Sequence, residues 1–308
     1  MTVSHATQLC PDPGITPDID LKIEVFLLRW DNQQTRAAYR AAIRCWVDWC
    51  AARGLDPIHG VHRTHVEAWV LELKDARKLK PTTINHRVCV VRIWFELAID
   101  DGLIDRNPCR LVRKVRVPRD NSRKSLYRHE LRQLLIVARD ERPTYYALVT
   151  LMAYCGLRVS EAVGIDIEDT RINEQSHRCV RVTRKGGEIA LIPMPPVVQR
   201  AVDDAAADRT AGPLIVGAIS GERISRRCAN EVIKRMARKA NIEPDVSSHW
   251  LRHTFTVTAL AGGIDPQIVQ ESLGHAELST TLKWYARARF SLDDHAAYAV
   301  AGTVGSVA

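Results

Sequence analysis

Apolar residues recur every three or four positions through most of the first hundred residues, an interval that fits helices and not strands. Tyr39, Ile43, Trp46, Val47 and Cys50 make one such stripe, and Ile84, Val88, Val91, Phe95 and Ala98 make another. The spacing predicts helices over 18–30, 35–53, from Thr64, and from Pro81 to about 101. Gly54 stops the second. Thr64-His65-Val66-Glu67 reads as a capping box that opens the third. Pro81-Thr82 opens the fourth. Four helices with short connections predict a small bundle over 18–108. Residues 1–17, with three Pro, one Gly and no periodicity, read as a flexible arm.

Asn107-Pro108 closes the bundle, and the pattern lapses. Residues 110–124 hold seven cations (Arg110, Arg113, Lys114, Arg116, Arg119, Arg123, Lys124) against Asp120 alone. This predicts a basic linker over 109–124, solvated or lying along phosphates. Beyond Ser125 helical spacing returns at 128–139 and 144–155, breaks at Gly156 and restarts near Val159. Then the period changes to that of a strand. Residues 179–183 and 188–192 predict two strands, joined by the hairpin Arg184-Lys185-Gly186-Gly187. Helical pattern resumes from Pro195. The expectation is a mostly α chain: a helical bundle followed by a mixed α+β domain over 125–290 with a small antiparallel sheet, then a tail over 291–308.

Lys and Arg number 44 against 36 Asp and Glu, a net +8, which favours a polyanionic partner such as nucleic acid. No cysteine pair has C-x-x-C or zinc-knuckle spacing, so the eight cysteines read as reduced thiols of a cytoplasmic protein. No apolar run reaches the ~18 residues of a membrane span. His59, His62 and His65 have metal-like spacing. Gly60 and Thr64 between them break any shared face, so they read as loop histidines and no metal is expected.

The second half contains a set of side chains suited to phosphoryl transfer. Arg158 opens a helix after a glycine, and Lys185 sits at the hairpin tip. His249 and Arg252 lie three apart on one helical face. His275 follows Gly274, and Tyr285 closes a Thr-rich segment. Guanidinium groups match phosphate oxygens, His and Lys move protons, and Tyr is a known covalent nucleophile. The local wording is more specific. Gly156-Leu157-Arg158-Val159-Ser160-Glu161 resembles the G-L-R-x-S-E box of the tyrosine recombinases, the phage integrase family with its Xer-like members. His249-Trp250-Leu251-Arg252-His253-Thr254-Phe255 resembles their H-x-L-R-H-T-F box. Leu273-Gly274-His275 with Ser279-Thr280-Thr281 and Tyr285 resembles their third. Thr35-Arg36-x-x-Tyr39, Thr83-Ile84-Asn85 and Asn107-Pro108 match the family's first domain.

The resemblance implies a helical core-binding (SAM-like) bundle, then a catalytic domain. It also implies site-specific cutting and joining of double-stranded DNA through a 3′-phosphotyrosyl bond at Tyr285. Arg158 and Arg252 would clamp the scissile phosphate, and His249 and His275 would hydrogen-bond it. Lys185 would protonate the departing 5′ oxygen, with Arg184 beside it as an alternative. Glu161 would orient the others from behind. Arg36, Arg40, Thr82, Asn85, His86 and Arg87 are the candidate DNA contacts of the bundle. No cofactor and no membrane are implied. The working assembly would be a homo-tetramer on two paired sites, its tail docked on a neighbour, associated with the nucleoid. With no arm-binding domain before Asp18, an Xer-like or mobile-element recombinase is expected. Two rivals stay open on sequence alone: a type IB topoisomerase-like or hairpin-forming enzyme, and a DNA-binding protein that has lost catalysis.

Overall fold

The structure is a computed structural model that describes residues 19–118, 124–184, 186–242 and 246–274. The chain divides into two compact units at residues 120–121.

The first unit is helical. It holds α1 (Ile19–Leu27), α2 (Gln33–Ala51), α3 (Arg63–Asp75) and α4 (Pro81–Asp100). Asn32 caps α2, which starts at Gln33, two residues before the expected Thr35. Its Oδ1 accepts from the Gln34 and Thr35 N–H groups at 2.9 and 3.1 Å, satisfying two orphan donors of the first turn. The expected capping box at Thr64 is corrected: α3 begins at Arg63, which leaves Thr64 inside the first turn. His65 Nδ1 instead accepts from the His62 N–H at 3.0 Å. Among the described residues no group of three His, Cys, Asp or Glu side chains is arranged to hold a metal ion. The apolar faces meet at Trp46, which lies edge-on to Trp69 with centroids 5.2 Å apart and to Phe95 at 6.0 Å. All three rings are buried, each contributing roughly 1.5–3 kcal/mol of transfer free energy or more.

The residues read as the start of the linker pack on this unit. Cys109 and Val112 are buried in its core. Arg92, on α4, donates to the Cys109 carbonyl at 3.1 Å and the Val112 carbonyl at 3.3 Å. Asn85 brackets Val115, donating to its carbonyl and accepting from its N–H, both at 2.8 Å. The basic residues dominate the wording of this stretch. Its structure is decided by the two buried side chains between them and by hydrogen bonds that composition does not announce.

The second unit holds α5 (Arg128–Glu141), α6 (Pro143–Tyr154), α7 (Val159–Gly164) and a 3-10 turn at Ile167–Thr170. There follow β1 (Ile172–Glu174), β2 (His177–Thr183), β3 (Ile189–Pro193), α8 (Pro196–Ala206), α9 (Arg226–Lys239), α10 (Ser248–Ala261) and α11 (Pro266–Leu273). The α6 sequence is apolar on all sides, as a helix at the centre of a domain must be. It packs against α5, α8 and α10. The strands form an antiparallel sheet in the order β1-β2-β3, with Val180 opposite Ile192. Val180 and Val182 join the core.

The described cysteines are free thiols. Desolvation pushes the Cys50, Cys109 and Cys155 thiols up to about 12, far from reactive thiolate. Among the described residues no helix is long and apolar enough to cross a membrane.

Candidate active site

The site grows from a sharp break in the chain. Helix α6 ends at Tyr154, and Gly156 takes φ +66°, the left-handed region that favours glycine. The chain then turns into α7 with Arg158 at its N-cap. Glu161, in the first turn of α7, does two jobs there. One carboxylate oxygen accepts from the Arg158 backbone N–H at 2.7 Å, and the other accepts from its guanidinium at 2.6 Å. The sequence G-L-R-x-S-E therefore makes a helix start and fixes an arginine with one carboxylate.

The same carboxylate meets a second arginine. Arg252, on α10, is 3% exposed, and its Nη1 lies 3.7 Å from Glu161 Oε2. Its guanidinium donates to the Gly156 carbonyl at 2.6 Å and the Leu273 carbonyl at 2.5 Å. Burial, with the Arg158 charge beside it, lowers Arg252 to about 10. It remains a cation at neutral pH. One buried anion thus holds two guanidinium groups together. That arrangement keeps a net positive charge, which a phosphate can meet.

His249 opens the same helix, three residues before Arg252. Its imidazole lies 4.2 Å, centroid to centroid, from that of His253, edge to face. Loss of water, then the charges of Arg252, Arg158 and Lys124, hold its pKa below the ordinary 6.5. It is therefore neutral at pH 7 and able to accept a proton.

Arg158, Glu161, His249 and Arg252 are brought together. Lys185, His275 and Tyr285 lie outside the described residues. Their described chain neighbours are informative: Arg184 packs against Gly274, and Arg252 holds the carbonyl of Leu273. Thr254 was not singled out by sequence, yet its hydroxyl accepts from the Leu126 N–H at 2.8 Å, anchoring the start of this unit to α10. Only its place in the H-x-L-R-H-T-F box pointed to it.

The candidate DNA contacts lie on α2 and α4 of the first unit. Thr82 and His86 are exposed, with the His86 ring 5.8 Å from that of Tyr39. Arg36 donates to the Trp30 carbonyl, Arg40 pairs with Glu24 at 2.7 Å, and Arg87 points at Cys45 Sγ at 3.1 Å. Asn85 is occupied with Val115.

Residues 124–291, more than half of the chain, match the phage integrase family. The chain belongs to that family. Tyrosine recombinase XerD of Corynebacterium glutamicum is 28% identical over 275 residues, covering 81% of this chain and 86% of that protein. XerD of Mycobacterium leprae is 30% identical over 271 residues, covering 80% and 84%. A solved lambda integrase tetramer bound to a Holliday junction shares the fold, with a TM-score of 0.71 at 17% identity, covering 89% of this chain and 78% of that one. The protein is thus a DNA strand-exchange enzyme of the tyrosine recombinase type, working in site-specific DNA recombination.

The turn at Gly156 yields a prediction. A Cβ there would stand 2.8 Å from both Leu273 Cδ2 and Phe255 Cδ1. Gly156→Ala combines left-handed strain of ~1–2 kcal/mol with overpacking of ~1–3 kcal/mol. At roughly 2–4 °C per kcal/mol for a domain of this size, calorimetry should show the second unit melting about 5–15 °C lower. Unchanged melting would mean that the turn tolerates a side chain.

Proposed function

We propose that this recombinase cuts and rejoins duplex DNA at specific sites through a 3′-phosphotyrosyl intermediate at Tyr285. The observation that carries the reading is the half-buried Arg158 and the buried Arg252 sharing the buried Glu161 carboxylate, with a neutral His249 beside them. The Tyr285 oxygen attacks the scissile phosphorus, and His249 takes the phenolic proton. The bond to the 5′ oxygen breaks, and the Lys185 ammonium supplies that oxygen with a proton. Arg158 and Arg252 bind the non-bridging oxygens as charge builds on them, and His275 adds a hydrogen bond. The products are a phosphotyrosine and a free 5′ hydroxyl. Because the phosphotyrosine keeps the phosphodiester's energy, attack by a second 5′ hydroxyl reverses the chemistry without ATP or a metal.

In this reading residues 18–108 are the core-binding module and 125–290 the catalytic one. Duplex DNA at paired sites is the partner, a homo-tetramer the working form and the nucleoid the place of work. The tetramer of lambda integrase on a Holliday junction, a protein of the same fold, supports the assembly. Incubation with a nicked suicide duplex, followed by peptide mapping of the covalent adduct, tests the reading. Attachment to any residue other than Tyr285 refutes it.

His249 gives the reading a pH signature. An imidazole held below 6.5 stays unprotonated until the pH falls through its lowered value. Single-turnover cleavage should therefore stay level down to pH 6.5 and fall only below it. The acid limb should disappear in His249→Gln. A limb centred above 6.5 would assign the base elsewhere.

A further inference from the structure

Arg184 is the last β-hairpin residue before the tip, and its backbone and side chain point to different partners. The backbone closes the hairpin: its N–H donates to the Glu188 carbonyl at 2.7 Å, and its carbonyl accepts from the Gly187 N–H at 3.1 Å. The side chain reaches across to the end of α11. Nη2 donates to the Ser272 carbonyl at 2.9 Å and to the Glu271 carbonyl at 3.4 Å. These carbonyls belong to the last turn of the helix, where Glu271 also accepts from the Gly274 N–H at 3.0 Å, and a cation there complements the helix dipole. The side chain is only 11% exposed, and its nearest acid, Glu188, stands 3.8 Å away.

Gly274 makes this contact possible. It caps α11 with φ +59°, and a Cβ at that position would fall 2.5 Å from Arg184 Nη1 and 2.7 Å from Cζ. The next carbonyl in line, that of Leu273, is held by Arg252. Two arginines thus share three consecutive carbonyls. The one on the hairpin takes the first two, and the one in the phosphate site takes the third.

We propose that Arg184 is a positioning residue for strand cleavage. Its guanidinium latches the β2–β3 hairpin to the end of α11, and through the hairpin it sets where Lys185 delivers its proton. This rests on the reading of Lys185 as the general acid. Arg184 does not itself fill that role: its planar guanidinium is a fork of hydrogen-bond donors suited to holding oxygens in place. Its donors are also turned onto backbone carbonyls.

The test uses the full chain and single-turnover cleavage of two suicide duplexes, one with the normal bridging 5′ oxygen and one with a bridging 5′ sulfur. A departing alkoxide needs a proton. A thiolate, whose conjugate thiol has a pKa of about 8.5, leaves without one. Lys185→Ala should lose ~10²–10⁴-fold on oxygen, the range of general-acid catalysis, and regain most of it on sulfur. Arg184→Ala should lose roughly 10- to 100-fold on oxygen, as a displaced catalytic group does, and also regain most of it on sulfur. The double variant should be no slower than Lys185→Ala alone, since both act on one step. Gly274→Ala, which pushes the guanidinium off its carbonyls, should repeat the Arg184→Ala pattern. Arg184→Lys, which keeps one donor near Ser272, should recover part of the loss and serves if the alanine variant fails to fold.

An equal Arg184→Ala loss on both substrates, or a double variant slower than Lys185→Ala, overturns the latch. If sulfur fails to restore Lys185→Ala itself, the acid assignment falls first and takes the proposal with it. Restoration of Lys185→Ala but not of Arg184→Ala removes the latch alone.

Discussion

Tyr285→Phe is expected to abolish the covalent protein–DNA adduct on a suicide duplex, with DNA affinity kept within about twofold because cation–phosphate contacts set it. The substitution removes one oxygen and nothing else. Phenylalanine cannot attack phosphorus, so no slower route through the same residue remains. Arg158 and Arg252 keep their shared carboxylate in the variant and still offer a phosphate its charge. The two measurements, gel-shift affinity and denaturing-gel adduct yield, should separate cleanly. An adduct surviving at more than trace level would mean that another nucleophile serves, and a parallel loss of binding would make Tyr285 a DNA contact first.

Four tyrosines among the described residues show why a substitute is not expected. Tyr39 packs among Trp30, Phe26 and His86 in the first unit. Tyr145 is buried, with the Arg142 and Arg235 guanidinium groups 5.8 and 5.7 Å from its ring centroid. Tyr154 lines an apolar groove with Leu131, Leu135 and Val257, and burial raises its phenol above the usual range, which disfavours the phenolate. Tyr127 lines the same groove, its ring stacked 5.8 Å from that of His129. None has the Thr-rich segment and Leu-Gly-His before it that Tyr285 has.

The helices and the boxes were legible because each rests on a repeated or fixed spacing. A stripe such as Ile84, Val88, Val91 and Phe95 has one satisfying fold, a helix with that face buried, and α4 buries all four. Strand β1 was not legible. It meets β2 through Gln175 and Ser176, both at positive φ (48° and 65°), where a two-residue hairpin ordinarily declares itself by Asn or Gly. The pairing of three short residues with β2 outweighs that local cost without leaving a turn signal. The region between α8 and α9 was likewise read through as helical. It is irregular, tied by the isolated bridges Asp166–Pro213 and Val216–Arg223. The first of these joins residues tens of positions apart, and no local period records it. The same holds at the site. The boxes named Arg158, Glu161 and Arg252, but the carbonyls of Gly156 and Leu273 that orient Arg252 are backbone atoms, invisible to residue type.

Those two carbonyls determine what a conservative change at Arg252 should do. Arg252→Lys keeps the formal charge, yet it is expected to slow strand cleavage by about 10²–10³-fold, the cost of losing one transition-state donor set. Arginine presents five N–H groups in a rigid plane, so it can hold Gly156, Leu273 and a phosphate oxygen together. A lysine ammonium is a single point on a flexible stem and cannot reach both carbonyls while facing the phosphorus. There is a second penalty. The burial that brings this guanidinium down to about 10 would act on an amine that starts near 10.4, so its titration would move close to neutral pH. Part of the variant enzyme would then carry an uncharged amine in mild alkali. The residual cleavage of the variant should therefore decline between about pH 7 and 9, where the parent arginine stays charged. A pH–rate profile of single-turnover cleavage reads both effects at once. A flat alkaline profile would show that water reaches position 252 in the DNA-bound enzyme. A parental rate would show that charge alone, without the planar fork, is what the phosphate requires.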